Sequence, residues 1–186
     1  RVDTHVSISK IEDWSFPKNI VLHLKLDNGW GDLVDLVVTG VHLISSTAES
    51  DHAERARHRE DQARALKRHL ATNYGTSEQI VHLVLGDFNM VDPELPSAQS
   101  ADAPEEALQV LKHEEFNLFN AMGPRSTPSD SSSLPSGVCH IFTSHPELVA
   151  DAQIVGLDGD GAACRLERVS DHPPVVATIN LPKRTQ

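Results

Sequence analysis

The sequence predicts a mixed α/β fold in which sheet dominates, and three observations carry that expectation. Apolar residues alternate or run together at 2–8, 20–26 and 33–43. A helical period occupies part of 46–73. Short apolar runs at 80–85, 138–144, 152–157 and 175–181 then return to strand character. With 186 residues the chain is expected to form one domain over 1–186, large enough to bury a core without metal or disulfide staples.

Each element has a local reason. Val2, Val6 and Ile8 alternate with polar residues, so residues 1–10 read as a half-buried strand that ends before Pro17. Ile20, Leu22, Leu24 and Leu26 share one face of the next strand, and Asn28-Gly29 with Gly31 supplies a hairpin-type turn. Residues 33–43 are nearly continuous in Val and Leu, the pattern of a strand covered on both faces. Ser46-Thr47-Ala48-Glu49 fits a capping box, and Ala56, Ala63, Leu66 and Leu70 follow at helical spacing. The interleaved charges of 55–69 read as the solvated face of that helix. Gly75 lies past its end, and 92–104 is a surface loop rich in Pro, Ser and Ala. Pro104 opens a second helix, with Glu105 and Glu106 in its first turn and Lys112 and His113 near its end, as the helix dipole favours. Residues 123–137, rich in Pro and Ser, form another loop, and Asp158-Gly159-Asp160-Gly161 a turn.

The charge balance narrows the function. Against 27 Asp and Glu stand 16 Lys and Arg, a net charge of −11, which argues against a protein that coats nucleic acid by charge alone. An enzyme that holds phosphate through metal ions stays open. No apolar run approaches the roughly 18 residues of a membrane span. There is no His-Glu-x-x-His, no Gly-x-Ser-x-Gly elbow and no Gly-Lys-Ser/Thr phosphate loop, and Cys139 and Cys164 stand too far apart for a zinc knuckle.

Three short clusters carry chemistry. Gly86-Asp87-Phe88-Asn89 follows a buried strand, and the spacing of Asp87 and Asn89 would project both from its carboxyl end. There a carboxylate can take a proton or bind a metal while an amide donates to a phosphate oxygen; the same pair also suits a plain turn. In Ser170-Asp171-His172-Pro173-Pro174, Asp171 is a metal-ligand candidate and His172 a proton-transfer or phosphate-contact candidate, with a proline-stiffened turn as the alternative. His42, in Val41-His42-Leu43, ends the long buried strand, where it is either a satisfied core histidine or a site residue.

Taken in order, a strand ending in His-Leu, a helix carrying Arg59 and Gln62, a strand ending in Gly-Asp-Phe-Asn and a late Ser-Asp-His-Pro resemble the endonuclease/exonuclease/phosphatase superfamily. The resemblance runs over essentially the whole chain. It implies an α+β, DNase I-like fold, a four-layer α/β/β/α sandwich. It also implies a metal-dependent phosphoric-ester hydrolase using Mg²⁺, with Mn²⁺ as a substitute, on a nucleic acid, phospholipid or small phosphodiester. By the same resemblance His42 and His172 contact the phosphate, Asp87 activates water or binds metal, Asn89 holds the phosphate, and Asp171 is a metal ligand.

Two departures shape further expectations. The family begins with a strand bearing asparagine, a helix, and a strand bearing the principal metal-binding glutamate. This sequence offers no match, so the domain is expected to lack its N-terminal strands and helix. An exposed apolar sheet edge is then expected to favour self-association or a partner chain. The second departure is Cys139, which stands where the family has the aspartate that orients the late histidine; a thiol cannot stabilise an imidazolium as a carboxylate does. The alternative to an active enzyme is a catalytically degenerate domain of the same fold that serves binding or assembly.

Overall fold

The structure, a computed structural model, describes residues 5–12, 18–27, 33–45, 52–90, 106–121, 139–154 and 175–181. The turn at Asn28-Gly29, the capping box at 46–49, Pro104 with Glu105, the loop at 123–137, the turn at 158–161, Cys164 and the Ser170–Pro174 motif with Asp171 and His172 lie outside the described residues.

Eight strands and two helices are described: β1 His5–Ser9, β2 Asn19–Asp27, β3 Leu33–His42, α1 His52–Asn73, β4 Ile80–Asp87, α2 Glu106–His113, β5 Phe119–Asn120, β6 Cys139–Thr143, β7 Val149–Ile154 and β8 Val175–Ile179. The first six strands to pair form one mixed sheet in the order β1-β2-β3-β4-β6-β5, and β7 and β8 form a second, antiparallel pair. Only the β3–β4 pair is parallel among the described strands, and α1 makes the crossover between them.

The helices cover one face of the large sheet. Val21, Val37, Val41, Val84 and Phe142 meet Ala63, Leu66 and Leu70 of α1 and Leu108 and Leu111 of α2 in the main core. The opposite face brings Val34, Leu36, Val81 and Leu83 together, with Leu148, Ile179 and Leu181 packed against them from the β7–β8 side. Three layers therefore follow one another among the described residues: helix pair, six-stranded sheet, two-stranded sheet. The continuous apolar run of β3 has its reason here, since it is covered on both sides.

The alternating runs behave less simply. The residue of β2 sealed beneath the helices is Val21, whereas Ile20, Leu22, Leu24 and Leu26 form a row on the opposite face. Only Leu24 and Leu26 reach the second core, and Ile20 stays exposed. The register pairs Val6 with Leu24 and Ile8 with Leu22, which extends that row onto β1. Because β1 is an edge strand away from β7–β8, Val6 and Ile8 are 49% and 69% exposed, and the expected half-buried strand is an exposed one. Two features were not visible in the apolar pattern: the two-residue β5, and a 3₁₀ turn at Pro146–Leu148 that leads into β7 three residues before the expected start.

The basic residues of α1 also depart from expectation. Arg59 and Lys67 do not lie on a solvated face; both are buried, together with Gln62. For Lys67 the reason is α2. Its Nζ donates to Leu111 O at 3.0 Å and to Phe116 O, satisfying a carbonyl in the last turn of α2 that the helix itself leaves without a partner. The ammonium also sits 3.9 Å from the centre of the Phe116 ring. Arg64 adds a second tie, donating to Glu60 on its own helix and to Glu114 beyond α2.

Burial lowers the Lys67 pKa from 10.5 to about 8, against the pull of Glu115 and Glu114. The folded chain thus releases this proton near pH 8 while the unfolded chain keeps it to about 10.4. Stability from Lys67 should therefore rise with pH across that window. Urea unfolding of wild type and Lys67→Met at intervals from pH 7 to 10.5 checks it. The difference between the two should move in favour of wild type above pH 8, and a flat difference would place the lysine proton elsewhere.

Candidate active site

The parallel pairing of β3 and β4 ends with His42 opposite Asp87. In an α/β sheet the carboxyl ends of parallel strands are where ligands bind, because the chain leaves each strand there and opens a crevice. His42 Nε2 lies 3.7 Å from Asp87 Oδ2, an ion-pair distance when the imidazole is protonated and too long for a direct hydrogen bond. The histidine side chain is half exposed and the aspartate mostly covered.

A tight turn holds Asp87 in place. Gly86 has φ +139°, and a Cβ there would stand 2.0 Å from Val41 O, so only glycine lets β4 approach β3 this closely. The strand ends at Asp87, whose Oδ1 accepts from the Asn89 backbone N–H at 2.8 Å. Asn89 adopts φ 52°, a left-handed conformation that asparagine tolerates better than most residues. Its side-chain Nδ2 donates to Leu43 O at 2.9 Å, and Leu43 N donates to Asp87 O at 2.8 Å. Asp87 and Asn89 are thus brought to one end of the sheet, but by a turn rather than by the two-residue repeat of a strand. The carboxylate that shapes the turn also faces His42.

His140, which the sequence did not single out, adds to the surroundings. His140 of β6 is buried, with Nε2–H donating to Met90 O at 2.9 Å and Nδ1 accepting from the Asn120 amide at 3.2 Å. Its ring packs edge-on against Phe88, so it fixes the chain just past Asn89. A histidine one place after Cys139 on a short apolar run was the available signal. Behind Leu43, Gln62 Oε1 accepts from Ile44 N at 3.0 Å and Arg59 Nη1 donates to Ile44 O at 3.0 Å. Cys139 is the register partner of Asp87 across β4 and β6.

The described residues bring His42, Asp87 and Asn89 together; Asp171 and His172 lie outside them. Among the described residues no group of three or more His, Cys, Asp or Glu side chains converges to cage a metal ion. The donor chemistry present, an aspartate carboxylate at a strand end, fits a hard cation such as Mg²⁺, which commonly takes one or two carboxylates and keeps several waters.

No protein-family model and no curated protein matches this chain. Solved structures do. The catalytic domain of human Nocturnin with bound sulfate anion superposes with a TM-score of 0.54 at 18% identity, over 94% of this chain and 60% of that one. The APE2 catalytic domain of Xenopus laevis gives 0.56 at 17%, over 88% and 55%. The mannosyl-6-phosphatase Bt3783 of Bacteroides thetaiotaomicron gives 0.52 at 17%, over 87% and 56%. All three are members of the endonuclease/exonuclease/phosphatase superfamily, and the likeness is one of fold: α+β, DNase I-like. The chain spans under two thirds of the length of each.

Gly86→Ala should cost about 3 kcal/mol or more, because a positive φ and a backbone clash combine. Gly75, at φ 84° with its nearest outside atom 3.6 Å from a built Cβ, is the control. Gly75→Ala should cost about 1–2 kcal/mol. Urea unfolding of both variants decides it, and equal losses would deny the close approach of β3 and β4.

Proposed function

We propose that this chain belongs to a metal-dependent phosphoric-ester hydrolase and carries part of its reaction centre at the carboxyl ends of β3 and β4. One observation carries the reading: on a DNase I-like fold, the register places His42 against Asp87 at the end of the parallel strand pair. The fold neighbours support the class of reaction, since they include a phosphatase and a sulfate-bound catalytic domain.

The chemistry follows from the groups present. Phosphoester hydrolysis needs an acceptor for the proton of the attacking water and neutralisation of charge on the phosphate oxygens. Asp87 is the acceptor in this reading. His42, half exposed beside it, would donate to a phosphate oxygen on its open side. Asn89 has one amide proton on Leu43 O, and the second is the one that would meet the phosphate. An anionic ester beside a carboxylate calls for a cation, and Asp171, or Asp87 in place of its acceptor role, would hold it. When bound, Mg²⁺ or Mn²⁺ supplies positive charge to the phosphate and acidifies a water. His172 completes the proposed set as a second phosphate contact. The substrate is placed no more finely than a phosphate ester of nucleic acid, lipid or small-molecule type.

Turnover of a nitrophenyl phosphodiester, single-stranded DNA and a sugar 6-phosphate by the full-length gene product, with Mg²⁺, Mn²⁺ or chelator, tests the proposal. Asp87→Asn and His42→Ala should each lower metal-dependent turnover by about 10²–10⁴-fold while leaving the fold intact by circular dichroism. Unchanged turnover in both variants would sink the assignment. A folded wild type that turns over none of the three would favour the alternative, a degenerate domain kept for binding or assembly.

A further inference from the structure

We infer that Arg59 and Gln62 are positioning residues that set His42 through the backbone of Ile44, two residues on. The inference rests on the reading of His42 and Asp87 as reacting groups. It starts from where the hydrogen-bond ladder runs out.

β3 is paired with β4 as far as His42 opposite Asp87. One further backbone bond follows, from Leu43 N to Asp87 O. Beyond it β4 turns through Asn89, and among the described residues no strand pairs with Ile44. Four backbone groups of Leu43 and Ile44 nevertheless all have partners. Leu43 N bonds Asp87 O, Leu43 O accepts from the Asn89 side chain, Ile44 N donates to Gln62 Oε1, and Ile44 O accepts from Arg59 Nη1. The amide oxygen of Gln62 and the guanidinium of Arg59 thus present the acceptor and donor that a neighbouring strand would have offered.

The two side chains are three residues apart on α1, so they lie on one face of the helix. Both are buried, at 3% and 4% exposure, inside the polar seam between helix and sheet. His42 N itself donates to Lys18 O, which fixes its backbone beside β2. His42 is therefore held at its own amide next to β2 and, two residues on, by α1. Loosening the α1 side leaves the histidine free to swing away from Asp87, and a displacement of about 1 Å at a reacting group is worth up to about 100-fold in rate.

Gln62→Met removes the acceptor, Gln62→Glu keeps one, Arg59→Met removes the donor and Arg59→Lys keeps one. Lys67→Met disturbs the same helix without touching Leu43 or Ile44. Three readouts in the full-length protein separate positioning from bulk stability: amide exchange at Ile44, the ring NMR resonances of His42 at one fixed pH, and kcat with KM on a metal-supported phosphodiester. Gln62→Met should expose the Ile44 amide, move the His42 ring resonances and lower kcat roughly 10–100-fold with KM within about twofold. Gln62→Glu should recover most of the loss, and Lys67→Met should leave all three readouts near wild type below its melting point. Protection of Ile44 in Gln62→Met would overturn the clamp. So would an exposed Ile44 amide with unmoved His42 ring resonances, whatever the turnover. If wild type turns over no ester while the His42 ring resonances follow Gln62, the hydrolase reading falls and the positioning role stands.

Discussion

The close approach of β3 to β4 is the constraint on which the rest depends. At Gly86 two backbones pass so near that a single carbon would meet a carbonyl oxygen. That approach carries the parallel register to its last pair and sets His42 against Asp87. It also explains the turn that follows, because a chain leaving a strand beside such a contact must change direction at once. Asn89 absorbs the change in a left-handed conformation, and its side chain returns to bond the strand it left. Sheet geometry and site geometry are the same fact at this end of the molecule.

Side chains finish what the sheet begins, and they do so at more than one edge. Asn19 bonds both polar groups of Ile11, with its amide oxygen taking the N–H and its amide nitrogen meeting the carbonyl. Lys67 serves the end of α2. These contacts answer one physical requirement: a backbone group removed from water needs a partner, and irregular chain cannot supply it from within. Asn19, Gln62, Arg59 and Lys67 each meet backbone groups where regular structure ends.

Much of this architecture was legible in the sequence, and the parts that were not share a cause. Strands β2, β3, β4, β6 and β8 announced themselves through apolar runs, and α1 through its period. His42, Asp87 and Asn89 were legible as a group because each stands at or just past a strand end. What periodicity could not tell was which face of β2 is sealed, since Val21 and its row of alternating neighbours differ only in what covers them. Nor could it tell that Arg59 and Lys67 turn inward, because a charged side chain carries no sign of the carbonyl it will meet. The roles of His140 and Asn120 depend on contacts across strands far apart in sequence, which no local pattern encodes.

The order in which these contacts can form has a consequence for how the site comes into being. β2 and β3 are neighbours in sequence and pair antiparallel, so their association closes a short loop. β3 and β4 are separated by the whole of α1, and their parallel pairing closes a much longer one. Contacts of high sequence separation are slow to form because chain entropy is lost before they return stability. His42 and Asp87 sit at the far end of that slow pairing. The β2–β3 ribbon can assemble early and hold a histidine with nothing opposite it. By that topology the pairing of His42 with Asp87 is expected among the later contacts to form, after α1 has spanned the gap and β4 has paired to its final residue.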